Sequence, residues 1–388
     1  MDHAKEKTGR SLEEWLELVG NSCMQNRNDI FEWLKHEHGL NHLQAQLIAG
    51  IYLNHGNPVY QQQTNIPEMM KKLFVLSTAF MLLMVCAAAQ HIPTGSMKNL
   101  SIAYNIHIPD TTKDDWEIIK MKPDGTGKKN ILNNDDVAWT YTAWKDRLFF
   151  ISDRDTCYRC FFLYEADANG NKIRKISDLQ LEDSWMSTRN NGEEMIVAGR
   201  IGKAVRFQFF IINTQTGAFR QITNDTAALH RDPCFSPDGK QIVFSYQKNR
   251  RDRTAHEELY LMNEDGSNMK QITHYPETNP SAKEYGYRAG SARWHPTENF
   301  ISYVSLQDGR HSIFAVTPDG KKQWKLIDNP DSEGWHDWSR DGQWLVFNSS
   351  DKAETQYHIM LMNWKTKEKK QLTDATYKSQ LSPVFVEE

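Results

Sequence analysis

The chain has 388 residues, 39% of them hydrophobic and 25% charged. That composition excludes a wholly disordered chain and a polytopic membrane protein, and at roughly 150 residues per domain it predicts two or three domains. The 46 Lys and Arg against 50 Asp and Glu give a net charge of −4, without the basic excess of a nucleic-acid binder, and five cysteines are too few for a disulfide scaffold.

Residues 1–56 read as a small three-helix domain. Ser11-Leu-Glu-Glu14 is a capping box, with Leu12, Trp15, Leu16 and Val19 at helical spacing behind it. Ile30, Trp33 and Leu34 form a second apolar face, closed by Gly39. Asn41 and Gln44 open a third helix that carries Leu47, Ile48 and Ile51. His36, His38 and His42 are candidate metal ligands, but solvated histidines at helix ends are the plainer reading. The EEW helix followed by WLKHEHGLNHLQAQLI resembles a small, uncharacterised family of bacterial helical domains that implies no chemistry.

Residues 57–70 are a polar linker. The stretch Leu73 to Ala89 then runs without a charge, preceded by Lys71 and Lys72 and ending Ala87-Ala88-Ala89-Gln90. A basic flank, an apolar run and a small-residue cleavage site make a secretory signal, here over 71–89. The run is also near the lower length limit of a membrane span. Three readings fit: an export signal whose start lies at Met69 or Met70, a membrane anchor in a genuine fusion, or a buried helix. The first two leave the remainder of the chain outside the cytoplasm, in the periplasm or cell envelope.

From residue 98 onward one unit recurs: an apolar strand after a Ser-Pro-Asp-Gly-type turn, a second apolar strand ending in an Asp-Gly-type turn, and a strand ending Ile/Leu-Thr. The clearest copy is CFSPDGKQIVFS (234–245), ELYLMN (258–263) and KQIT (270–273). The apolar residues that end the units, Ile131, Ile176, Ile222, Ile272, Leu326 and Leu372, are spaced by 45, 46, 50, 54 and 46. That is the period of a four-stranded propeller blade. The first unit lacks its opening strand, and Leu381-Ser-Pro-Val-Phe-Val386 supplies a spare one at the end. The expectation is therefore an all-β, six-bladed propeller over 98–388, closed by a C-terminal innermost strand, plus the small all-α N-terminal domain.

These units resemble the TolB-type propeller repeats of bacterial periplasmic proteins, over roughly three quarters of the chain. The propeller is also similar to that of prolyl-oligopeptidase-type enzymes, but no G-x-S-x-G follows, so that activity is not implied. In propellers of this kind the residues just before each innermost strand ring the channel mouth. Here those are Asp183 and Trp185, then His230, Arg231 and Asp232, then Tyr287, Arg288 and Arg293, and finally Trp335, His336 and Asp337. The ligand-binding candidates are Trp185, His230, Arg231, Arg288, Arg293, His336 and Asp337. They make a polar funnel for an anionic group or a peptide terminus, or side chains that satisfy neighbouring blades.

Two functions follow. The first is a non-enzymatic envelope protein binding a protein, peptide or glycan. The second is a lyase or hydrolase similar to oligogalacturonate lyases, with His230, His336 and His295 gathered at the axis. No cofactor or catalytic residue is assigned. Cys157-Tyr-Arg-Cys160 is a C-x-x-C without a second pair, read as a disulfide in one loop, and the long segments 246–257 and 275–290 are candidate partner-binding loops.

Overall fold

The computed structural model describes residues 10–21, 30, 33–35, 37–38, 40, 48, 52, 97, 99–109, 114–133, 136–204, 206–252, 256–274, 288–307, 309–327, 329–351 and 353–388. The chain divides into two compact units, 1–91 and 92–388. Linker 57–70, segment 71–89, His36, His42 and Tyr287 lie outside the described residues. Among the described residues no helix is long and apolar enough to cross a membrane.

In the first unit the capping box sets the start of the helix Leu12–Asn21. Ser11 N–H donates to Glu14 Oε2 at 2.6 Å, and Glu14 N–H donates to Ser11 Oγ at 3.2 Å. Two otherwise unpaired donors at the helix start are thereby satisfied. Trp15 and Val19 on the buried face pack with Ile30, Leu34, Leu40 and Ile48. His38 lies edge-on to Trp33, with ring centroids 4.4 Å apart, so it is part of this aromatic cluster.

The second unit is a six-bladed β-propeller, one antiparallel sheet per blade. In blade 1 the C-terminal strand Gln380–Glu387 pairs with Leu100–Pro109, which fastens the last segment of the chain to the first. The ring thus closes without leaving blade 1 short of its innermost strand. The other innermost strands are Ala138–Trp144, Leu229–Phe235, Ala289–Trp294 and Ser332–Trp338 in blades 2, 4, 5 and 6. In blade 3 that strand is split into Gln180–Leu181 and Ser187–Arg189, which leaves Asp183 and Trp185 in the break.

The repeat period has a steric cause. In blade 2 the turn glycine Gly170 has φ +78°, and a Cβ on it would lie 1.7 Å from the carbonyl oxygen of Ile131, the residue that ends blade 1. Gly217 stands against Ile176, Gly266 against Ile222 and Gly125 against Leu372 in the same way. The glycine of each such turn therefore admits the backbone end of the preceding blade. Between blades, alternate residues of facing sheets form the core, as with Phe209, Ile211, Phe235, Ile242 and Phe244 between blades 3 and 4.

Candidate functional site

The innermost strands share a defect that builds the site. A β-bulge interrupts pairing between Arg231 and Cys234, Gly290 and Arg293, and Glu333 and His336. In blade 1 the shift falls opposite Leu381 and Val384. Asp232, Ser291 and Ser382 at these bulges have φ of 54°, 51° and 52°. A bulge adds a residue and re-aims the side chains on either side of it. The residues just before it, Arg231, Gly290, Glu333 and Leu381, all line one cavity. Two of the bulges hold Pro233 and Pro383, where no ladder hydrogen bond is lost.

Asp232 fastens three blades together. Its Oδ1 accepts from Ser184 Oγ and Trp185 N–H, both at 3.1 Å, and its Oδ2 accepts from Ser291 N–H at 2.9 Å. Its own N–H donates to Ser184 Oγ at 2.7 Å. Blades 3 and 5 are thus both held by one carboxylate of blade 4.

One step further along the inner strand of blade 5, Arg293 closes the channel. It is 6% exposed. Its Nη2 donates to the carbonyl of Tyr141 in blade 2 at 3.0 Å, on the opposite side of the ring. Its guanidinium lies 3.9 Å from the ring centre of Trp185 in blade 3, a cation–π contact, and its Nε is 3.8 Å from Asp337 Oδ1 in blade 6. Enclosure raises the Asp337 carboxyl to about 6 against the pull of Arg293, while its Oδ2 accepts from Phe385 N–H in blade 1 at 3.0 Å. Beside this plug the Tyr141 hydroxyl donates to Asp183 Oδ1 at 2.6 Å. Burial pushes Asp183 up.

The cavity opens at the channel mouth across blades 4, 5, 6 and 1, with a volume of about 350 Å³. Arg231 and Arg288 line one side, and Arg231 Nη1 is 3.6 Å from Glu257 Oε1. Glu333, Ser332, Asn348, Ser350 and Glu354 line the other, with Trp335 at the rim, 37% exposed. Glu354 is engaged by His311 Nδ1 at 2.8 Å and by the Tyr357 hydroxyl, which donates to it at 3.1 Å. Glu333 is fully buried, and its Oε2 accepts from Ile313 N–H at 3.2 Å. Burial pushes its carboxyl up to about 7. Gly334 allows the Asn348 side chain in beside it, since a Cβ there would meet Asn348 Nδ2 at 2.4 Å.

Of the seven candidates read from the sequence, Arg231 and Arg288 line the cavity, and Trp185, Arg293 and Asp337 form the plug. His230 and His336 do neither, against the expectation that they face the axis. His230 is packed among Phe209, Phe244 and Tyr246, and burial lowers it to about 4. His336 is fully buried, with Nε2 2.7 Å from Ser302 Oγ of blade 5, and burial lowers it to about 3. Strand alternation accounts for this: the strand residues around each bulge turn these rings between blades. His295 accepts from Glu298 N–H through Nδ1 at 2.8 Å and packs 4.4 Å from Trp338 in ring-centre distance. The axial histidine set of the lyase reading is therefore not assembled, and no group of three or more His, Cys, Asp or Glu that would hold a metal occurs among the described residues. Cys157 and Cys160 are joined in a disulfide, in the loop where Arg159 stacks on Trp139 and pairs with Asp114.

The sequence reading passed over Glu333, Asn348, Ser332 and Ser350. Glu333 is equivalent to Arg231 and Gly290 only through the bulges that follow them, which the sequence does not mark.

A domain of unknown function, DUF4287, matches residues 1–54. TolB of Acinetobacter baumannii superposes with a TM-score of 0.58 over 86% of this chain and 77% of its own, at 16% identity. The propeller has the TolB-like fold. The hydrazine synthase of Kuenenia stuttgartiensis superposes at 0.57 over 74% of this chain and 46% of its own, also at 16% identity, so the likeness is one of architecture. Dipeptidyl-peptidase 5 of Porphyromonas endodontalis is 30% identical over 118 residues, 30% of this chain and 16% of that protein. The match thus spans about one sixth of that relative's length.

Proposed function

We propose that this chain is an exported cell-envelope protein whose TolB-like propeller is a non-catalytic binding module, taking a segment of a protein or peptide partner into the cavity at the channel mouth. The observation that carries this reading is the plug. Arg293 is tied to blades 2, 3 and 6 across the axis, and the cavity beside Trp335 is walled by blades 4, 5, 6 and 1, so a ligand there meets fixed polar walls. A cavity of about 350 Å³ is at the small end of ligand sites, the size of a few residues of chain and not of a domain. Arginines on one side and acceptor groups on the other suit the donors and acceptors of a peptide. The signal-like segment at 71–89 supports export to the periplasm, which would leave residues 1–68 in the cytoplasm if they are translated with the rest. A photo-crosslinking amino acid at Trp335, on the rim, and another at Phe219, slightly more exposed on the outer strand of blade 3, test this in cells. Adducts of a defined partner at Trp335 and none at Phe219 are expected. The reverse pattern contradicts the proposal.

A further inference from the structure

The blade-6 wall of the cavity carries an unusual set of atoms. Glu333 Oε1, Asn348 Oδ1, Ser332 Oγ and Ser350 Oγ are buried and accept no hydrogen bond of good geometry among the described residues, with the Asn329 side chain standing beside the Glu333 carboxyl. Their residues are 0%, 3%, 3% and 4% exposed. All four line the same cavity. Strand register groups three of them: Ser332 stands opposite Ser350, and Asn348, two residues before Ser350, is on the same face; Glu333, next to Ser332, lines the cavity from the adjoining strand position.

Buried polar atoms are nearly always paired, so four unpaired ones around one cavity describe a ligand's missing contacts. Their chemistry gives its class. The carboxyl and amide oxygens accept, and both hydroxyls can accept as well. An accepting wall with one carboxyl oxygen left without a partner suits a group with several N–H donors and a positive charge. On the opposite wall Arg231 is held by Glu257, and Arg288 adds a second guanidinium that disfavours a cation there.

We infer that this pocket binds a primary ammonium group, the free amino terminus of a peptide, with Glu333 as its counter-charge and Asn348, Ser332 and Ser350 as acceptors. The inference rests on the peptide-binding reading above and names the end of the peptide that enters. Gly334 belongs to the design, because any side chain there would displace Asn348. Glu354 is not the counter-charge, since His311 and Tyr357 already occupy it.

The test is calorimetric titration of the full chain with a mixed-sequence pool of tripeptides having free amino termini, and with the same pool acetylated. The expected result is binding of the free pool at least about tenfold tighter than the acetylated one, as hydrogen bonds to a charged group require, and loss of that preference in Glu333→Gln. Ser350→Ala, a milder change, should reduce the preference while leaving the thermal midpoint in place. Equal binding of both pools overturns the ammonium assignment and leaves the cavity a peptide site. No binding of either pool overturns both readings.

Discussion

Arg293 of blade 5 donates to the backbone carbonyl of Tyr141 in blade 2, joining the innermost strands of opposite blades. In a six-bladed ring these blades face each other, so one side chain ties opposite walls together. The guanidinium can do this because Trp185 lies beneath it and Asp337 beside it. A planar fork with several donors reaches three blades at once, which a lysine ammonium cannot.

Removing that fork leaves Asp337 enclosed without its cation. Arg293→Met should therefore destabilise the propeller by about 3–5 kcal/mol, and Arg293→Lys should recover only part of it. Urea denaturation of both variants checks this. A loss below about 1 kcal/mol for Arg293→Met would mean that the plug is not structural.

Glu333 predicts a pH signature. Its carboxyl is held at about 7 in the fold against 4.5 in the open chain, so the folded state retains its proton where the unfolded state loses it. Its favourable contribution is complete below 4.5 and is lost as pH rises through 7, on the order of 3 kcal/mol in all. Glu333→Gln should therefore be more stable than the parent at pH 8 and no more stable at pH 4. The histidines act in the opposite direction. His336, lowered to about 3, contributes above 6.5 and its contribution is lost as pH falls toward 3. His336→Gln should flatten that acid limb. Stability curves from pH 3 to pH 8 separate the two.

The inter-blade contact at Gly170 predicts a large effect from one methyl group. With φ at +78° and the Ile131 carbonyl in the way, Gly170→Ala combines backbone strain with a clash that backbone must relieve. A loss of about 2–4 kcal/mol is expected in thermal or chemical unfolding. Gly202, also at positive φ but with nothing within 4 Å, should show the strain alone, about 1 kcal/mol.

The disulfide closes so short a loop that little chain entropy is at stake. Cys160→Ser should cost about 2 kcal/mol or less and leave ligand binding unchanged, since Cys157 and Cys160 do not line the cavity. Unfolding with and without reductant checks the value.

The architecture was legible because its signals are periodic. The terminal Ile and Leu residues and the turn glycines recur for the same reason, that they touch one another between blades. Blade closure was legible because Leu381 to Val386 had no other partner to pair with. The site was only half legible. Arg288 stands just before its innermost strand, whereas Arg231 and Arg293 lie within theirs. His230 and His336 do not face the axis, because a bulge shifts side-chain direction without changing the apolar pattern, and composition does not mark a bulge. Glu333 was missed for a related reason: its Ser-Glu-Gly-Trp context lacks the Ser-Pro-Asp-Gly signature and reads as loop.

The central claim is that the cup lined by Arg231, Glu333 and Trp335 is where this propeller binds. Leu306 lines that cup and is only partly buried, so Leu306→Trp fills it with little disturbance to the core. Titration of the free tripeptide pool into the parent chain and into Leu306→Trp, at matched thermal midpoints, is the most direct measurement. The account predicts saturable binding in the parent and its loss in the filled variant. Undiminished binding in the variant would contradict it.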